Sequence, residues 1–409
     1  MNSGLDNRPL TIRVATTLAA VEEVAWNRCA SGANAATSEQ GNLDEAIPDN
    51  PFIAHEFLTA LEVSGSVGGR SGWQSAHLLV EDDSNTLLAT APCYLKSHSQ
   101  GEYVFDHAWA DAYERAGGRY YPKLQVAAPF TPVTGPRLLV APGVQSERGF
   151  GALVQGLEAL QSQSGASSTH VTFASEEDWK RLGNVGYLLR NDRQFHWINE
   201  AYASFDDFLA ALSSRKRKVI KRERRDALAP GLTIDWLTGS DITEAHWDAF
   251  FDFYMDTGSR KWGRPYLNRR FFSELGQRMA DRVLLIMAKR NGRYIAGAIN
   301  FLGPEVLYGR NWGCIEQHPF LHFEVCYYQA IEFAIRHKLK RVEAGAQGEH
   351  KLARGYRPVL TYSAHEIADP GLRMAIDNYL ARERSYVEAA QNDYDAYLPF
   401  RKDVEREVE

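Results

Sequence analysis

Cysteine is scarce and scattered in this sequence: Cys29, Cys93, Cys314 and Cys326, with no C-x-x-C pair. That spacing excludes a zinc ribbon, which takes its ligands in close pairs. A chain of 409 residues has no need of disulfide staples, and isolated thiols suit a reducing compartment. The opening stretch MNSGLDNRPLTIRVATT lacks the basic-then-apolar pattern of a secretory leader. No long apolar run is uninterrupted; the stretch 124–144 comes nearest, and it contains Arg137 and four prolines. A membrane-spanning helix is therefore not expected, and a cytoplasmic protein is. The formal net charge of -6 gives no overall attraction to DNA or anionic lipid. Familiar catalytic signatures are missing too: H-E-x-x-H, a Walker A loop and a G-x-S-x-G elbow. His322-Phe323-Glu324 has the H-x-E of zinc deaminases, but no P-C-x-x-C follows it. Neither a metal nor a redox cofactor is expected, and Cys314 and Cys326 read as packed rather than nucleophilic.

What is present is an ordinary globular composition, 44% hydrophobic and 24% charged, in a chain long enough for two domains. Helical and strand patterns alternate, which predicts an α/β (α+β) fold. In the first half, helices are expected over 17–29, 52–63, 150–163 and 176–182, and a hairpin over 76–95 turns at EDDSN. Residues 97–140 are aromatic and proline-rich and read as irregular. In the second half, Ser204 before Asp206 and Asp207 marks a helix start. Asn291-Gly292 is a strong two-residue turn between strands 283–289 and 294–301. A strand is expected over 306–310, a helix over 323–337, a strand over 341–344, and a charged helical tail from about 371. AHLLVEDDSNTLLATAPCYL and VLLIMAKRNGRYIAGAINFL align as strand, polar turn, strand. The two halves thus read as copies of one unit, divided near Glu200, with a second unit over 201–370 and a tail over 371–409.

Several clusters could carry chemistry. Glu324 and Tyr328, four apart, share a helix face, with His322 at the helix start and Tyr327 beside them. Glu324 suits a base or an N-terminal cap, and the tyrosines suit core packing. Gln347, Glu349, His350, Lys351 and Arg354 converge on a glycine-rich loop after a strand: cations for an anionic group, Glu349 or His350 for moving protons. Arg310 and Trp312 alternate on a strand and could clamp an anionic or planar group. Asp106, Trp109, Tyr121 and Lys123 are candidates for lining a cleft between the units. Arg215 to Asp226 holds eight basic and two acidic residues, a local +6, which suits either a solvated helix or a tRNA phosphate contact.

The strings YYPKLQVAAPFTPVTGPRLL (120–139) and HPFLHFEVCYYQAIEFAIRHKLKRVEAGAQGEHKLARGY (318–356) resemble signatures of the FemAB-like family of the GNAT superfamily. The basic segment SSRKRKVIKRERRD (213–226) resembles the start of the second unit in Fem-type ligases. The resemblance implies tandem GNAT-like units, each a mixed sheet flanked by helices, and transfer of an acyl or aminoacyl group to an amine. Relatives labelled N-acetyltransferases or peptidoglycan proteins belong to the same group. The sequence departs from the GNAT pyrophosphate loop: Phe320 and His322 stand where small residues would admit coenzyme A. The donor therefore stays open among acyl-CoA, a carrier thioester and aminoacyl-tRNA. Glu324 or Glu349 would be the base and Tyr328 or His350 the acid. Arg310, Lys351 and Arg354, with backbone amides, would hold donor and oxyanion. A peptidoglycan-type tRNA-dependent ligase, or a binding protein on the same scaffold, is the alternative.

Overall fold

The computed structural model describes residues 9–32, 49–143, 145–229, 231–261, 265–345, 349–396 and 398–401. The chain forms two compact units, Met1–Asp192 with Thr361–Ser385, and Arg193–Leu360 with Tyr386–Glu409. These are not linear blocks divided at 200 and 370. Residues 361–385 join the first unit because Ile367, Leu372, Ile376 and Leu380 are buried in one cluster with Trp109, Tyr120 and Leu188. Each unit is α/β, a mixed sheet system flanked by helices, as the resemblance implies.

In the first unit, strands Thr11–Ala15, His77–Glu81, Leu87–Ala91 and Leu139–Val140 form one antiparallel sheet. Trp73–Ser75, Cys93–Lys96 and Lys123–Val126 pair antiparallel, and Lys123–Val126 then pairs parallel with Ser168–Ala174. The helix Ser146–Ser164 lies between these parallel partners in sequence and buries Phe150, Leu153 and Leu157. The segment expected to be irregular contains a helix, His107–Arg115, which buries Trp109 and Ala110. Its apolar positions repeat at helical spacing, a signal that the surrounding prolines and glycines obscure.

The second unit repeats the order. Leu232–Thr238, Val283–Arg290, Arg293–Leu302 and Val306–Cys314 run antiparallel. Val306–Cys314 then pairs parallel with Arg341–Glu343. Asn291 and Gly292 both have positive φ, 51° and 78°, as the tight hairpin turn requires. Helix Glu244–Lys261 lies so close to the sheet that a Cβ on Gly313 would stand 2.1 Å from the Phe253 carbonyl oxygen. A helical stretch over 321–336 joins the parallel strands and packs Leu321, Val325, Tyr328, Ile331 and Ile335 into the core. A helix at Arg269–Arg278, absent from the sequence expectation, is started by Asn268, whose side chain accepts from Phe271 N–H.

Two features open this sheet. Parallel pairing is confined to Val306–Tyr308 against Arg341–Glu343, while the first strand runs on to Cys314. The antiparallel register also slips: Asn300 faces Gly309, whereas Ile299 faces Asn311. Arg310 is thus the extra residue of a β-bulge, so Arg310 and Trp312 do not simply alternate.

Candidate functional site

The helix that follows the bulged strand starts unusually. Phe320, at its N-cap, has φ 61°, a left-handed conformation that suits glycine and costs a bulky residue about 1 kcal/mol. The first turn passes into a π-helical turn, Glu324–Tyr328, in which Gln329 N–H donates to the Glu324 carbonyl. Such wide turns shift side-chain directions relative to a regular helix and recur at functional sites.

The π-turn sorts the residues into two directions. Glu324 is fully buried and accepts from Arg224 at 2.9–3.2 Å and from Gln329 at 2.7 Å. Arg224 also reaches Glu332 at 2.8 Å. Tyr328 is fully buried, and its hydroxyl donates to Glu223. Both expected catalytic side chains therefore face helix Ser214–Leu228 and are held there by its Glu223 and Arg224. Arg224 is accordingly not a surface cation, whereas Arg215, Lys218, Lys221, Arg222 and Arg225 of the same helix are exposed.

Tyr327 turns the other way and meets the short 3-10 turn Glu349–Arg354. Its hydroxyl lies 2.8 Å from His350 Nε2. Burial raises the Tyr327 phenol well above its usual range, so it stays protonated. Burial, then Arg354 and Lys351, lower the His350 imidazole, which favours the neutral ring although the residue is exposed. With those protonation states, Tyr327 O–H donates and His350 Nε2 accepts. The His322 ring stands 5.5 Å from Tyr327, 5.3 Å from Trp312 and 6.4 Å from His350, centroid to centroid. Lys351 is buried, and its ammonium donates to the Gly345 carbonyl at 2.7 Å. Burial, with Arg310 adding to it against Cys326, pulls that amine down to about 8. Arg354 donates to the His350 carbonyl at 2.8 Å and to Glu223 at 2.9 and 3.1 Å. Thus Trp312, His322, His350, Lys351 and Arg354 come together around Tyr327, a residue the sequence reading favoured only for packing. Glu349 opens the turn, and Gln347 lies outside the described residues.

A hollow of about 350 Å³ adjoins this group, lined by Arg260, Trp312, Glu316, Gln317, Leu321 and His322 among others. Its charges are balanced: Arg260 pairs with Asp256, and Glu316 with Arg290 and His318. A larger hollow of about 520 Å³, lined by Arg224, Trp236 and Arg336, contains none of Trp312, His322, Tyr327 and His350.

The first-unit candidates have a different setting. Lys123 is fully buried and donates to Ser99 at 2.8 Å, to Glu102 at 2.7 Å and to Asp106. Tyr120 donates to Asp106 at 2.7 Å. Burial alone would raise the Asp106 carboxyl, but Lys123 and then His170 hold it well below the usual carboxylate range. Burial and Lys123 lower His170 to about 3, and its Nδ1 lies 2.7 Å from that of His365. Trp109 is buried over these rings, 5.0 Å from His365. Asp106, Trp109 and Lys123 therefore form interior structure, because the ammonium is already matched by two carboxylates. Only Tyr121, bonded to Ser99 at 2.8 Å, is half-buried.

Among the described residues, no helix is long and apolar enough to cross a membrane, and no His/Cys/Asp/Glu group has the makings of a metal site.

Fold and site define an α/β protein of two repeated units with a polar, histidine-bearing opening beside the parallel strands of the second. The chain belongs to the FemAB-like family, described as peptidoglycan biosynthesis/recognition, whose profile matches residues 17–402. Among solved structures it is similar to FemX, with 11% identity, TM-score 0.49, and coverage of 79% of this chain and 94% of that one. L-PGS from Bacillus licheniformis is similar at 10% identity and TM-score 0.48, over 81% of this chain and 97% of that one. A tandem GNAT protein from the clavulanic acid biosynthesis pathway is similar at 12% identity and TM-score 0.46, over 88% and 99%. No curated protein matches the sequence.

Proposed function

We propose that the second unit transfers an acyl or aminoacyl group from an activated ester or thioester to an amine on a peptide of the peptidoglycan class. The observation that carries this reading is the 2.8 Å contact between His350 Nε2 and the Tyr327 hydroxyl, in an opening flanked by a bulged strand. The amine nitrogen attacks the carbonyl carbon, and the C–O or C–S bond to the leaving group breaks. The Tyr327 oxygen takes the proton lost by the amine as its own hydroxyl proton passes to neutral His350 Nε2. The imidazolium then gives that proton to the departing oxygen or sulfur, so the pair is restored. The Lys351 ammonium, near Arg310, supplies positive charge for the oxyanion, and the residues released from pairing beyond Tyr308 offer backbone donors to an extended substrate. Glu324 and Tyr328 are assigned to holding the helix rather than to proton transfer.

For the donor, the bulky Phe320 at the helix start disfavours a pyrophosphate there. The five exposed basic residues of helix Ser214–Leu228 favour a donor with an extended phosphate backbone, such as a charged tRNA. Acyl-CoA is the alternative donor. The test is mass spectrometry of an amine-bearing stem-type peptide incubated with the protein and, separately, acetyl-CoA, a longer acyl-CoA and a charged tRNA pool. A donor-dependent mass gain that His350→Ala abolishes is the expected result. No gain with any donor, or a gain indifferent to His350, would overturn the reading.

A further inference from the structure

We infer that Glu223 is a positioning residue of the transfer site: through Arg354 it fixes the turn that carries His350. Glu223 sits in the middle of the basic segment, surrounded in sequence by arginines and lysines, yet it is buried while most of its neighbours are exposed. Its two carboxylate oxygens accept from Arg354 Nη2 at 3.1 and 2.9 Å, and one of them also accepts from the Tyr328 hydroxyl. Arg354 is buried as well, with its guanidinium 3.5 Å from the centre of the Phe323 ring. Its other terminal nitrogen, Nη1, donates to the His350 carbonyl at 2.8 Å. One guanidinium thus ties the backbone of the catalytic turn to a carboxylate on a separate helix.

The tie matters because His350 itself is exposed, so its own side chain does little to anchor the turn, while Lys351 and Leu352 are buried on its far side. The Tyr327 contact is a single hydrogen bond, so the 2.8 Å separation depends on where the backbone of residue 350 is held. A buried arginine without a counter-charge would instead swing toward water and release the carbonyl. Among the described residues, the titratable groups that face His350 are Tyr327 and His322 from the helix, and Lys351 and Arg354 from its own turn. Glu223 is the carboxylate that pairs with Arg354 in this largely cationic surrounding.

The kinetic consequence rests on the transfer reading above; the structural one does not. The experiment therefore has two readouts on Glu223→Gln and Glu223→Asp: NMR titration of the His350 ring, and kcat and KM for the amine. For Glu223→Gln the His350 midpoint is expected to fall, because Arg354 then acts on the ring without its counter-charge. The kcat is expected to drop about 100-fold, the cost of a displaced catalytic group, with KM little changed. Glu223→Asp, charged but about 1.5 Å shorter, should recover part of both losses. If the glutamine variant does not fold, as judged by circular dichroism, the aspartate variant decides by the same readouts. An unmoved His350 resonance and midpoint in the folded variants would overturn the inference, whatever the activity. If His350 moves as expected but the wild-type protein transfers nothing, the positioning stands and the transfer reading fails.

Discussion

Gln329 donates to Glu324 at 2.7 Å from five residues further along the same helix. In a regular α-helix, residues five apart point well away from each other; the π-turn brings them into line. Glu324 is thereby enclosed between its own helix and Arg224, a buried carboxylate whose acceptor sites are taken. Replacing it by alanine should cost about 2 kcal/mol, below the usual loss for a broken buried pair because Arg224 retains Glu332 and some solvent. Urea unfolding would measure this. Glu324→Gln, which keeps the shape, should retain transfer. A folded Glu324→Gln protein without activity would make Glu324 the base in place of His350.

The acid limb of the rate profile should belong to His350. Burial, followed by Arg354 and Lys351, lowers its imidazole, and a base works only when unprotonated. The rate kcat/KM should therefore rise with pH through a midpoint below the usual imidazole value. It should fall again as Lys351, whose amine is pulled down to about 8, loses its charge. The expected profile is a bell, with the acid limb absent in any residual activity of His350→Ala. That variant should be slower by about 100-fold or more. An acid limb that persists unchanged in His350→Ala would exclude His350 as the base.

Much of this architecture was legible in the sequence, for reasons that are local. The Asn291-Gly292 turn and the Ser204 cap, which accepts from Asp207 N–H, each follow from residue types within a few positions. The matching order of apolar run, polar turn and apolar run in the two hairpins pointed to a repeat, although their strands are buried on both faces rather than alternating. Trp312, His322, His350 and Lys351 were each singled out, on a strand, at a helix start and in a loop after a strand, but their convergence was not read from the sequence. Three things were hidden. A π-turn is a one-residue widening with no period of its own, so spacing singled out Tyr328 and gave no sign that Tyr327 would be the one set against His350. Helix His107–Arg115 lies between aromatic and proline-rich stretches that dominate its surroundings. Glu223 and Arg224 were submerged in a run of charge, and composition reports the charge of such a run without showing which members are paired.

Lys351 should be held at a cost to stability. Its folded-state pKa lies below the unfolded one, about 8 against 10.5, so below pH 8 both states are charged and the burial penalty is fully present. Between those values the unfolded state binds more protons, and stability should rise with pH. The depression corresponds to about 3 kcal/mol, so Lys351→Met should be more stable at pH 7 by up to that amount, less about 1 kcal/mol for the lost bond to Gly345. The same change should sharply reduce transfer, since the charge near the oxyanion is removed. Paired unfolding curves at pH 7 and near pH 10 check the sign. A less stable Lys351→Met at pH 7 would mean that the ammonium is a net structural contributor.

Lys123 should behave in the opposite sense. In the first unit it holds Glu102 and Asp106 together, all three side chains being buried. Because Asp106 is held below its unfolded value, it contributes stability that is present above about pH 4 and lost as acid protonates it in the folded state. Burial raises Glu102, against the attraction of Lys123, so that carboxyl works weakly the other way. Lys123→Met removes the one group that bonds both carboxylates, leaving Lys96, 3.6 Å from Glu102, as their nearest cation. The loss at pH 7 should be about 3–5 kcal/mol, the usual result of leaving buried charges unmatched. The pH dependence should also differ. The wild-type Asp106 contribution holds from pH 7 to pH 5 and weakens only below about pH 4, whereas the variant should regain stability from pH 7 toward pH 5 as the two carboxyls take up a proton between them. Urea midpoints for both proteins at those two pH values decide it. A variant whose stability relative to the wild type does not rise from pH 7 to pH 5 would show that Lys96, not Lys123, is the effective counter-charge of the pair.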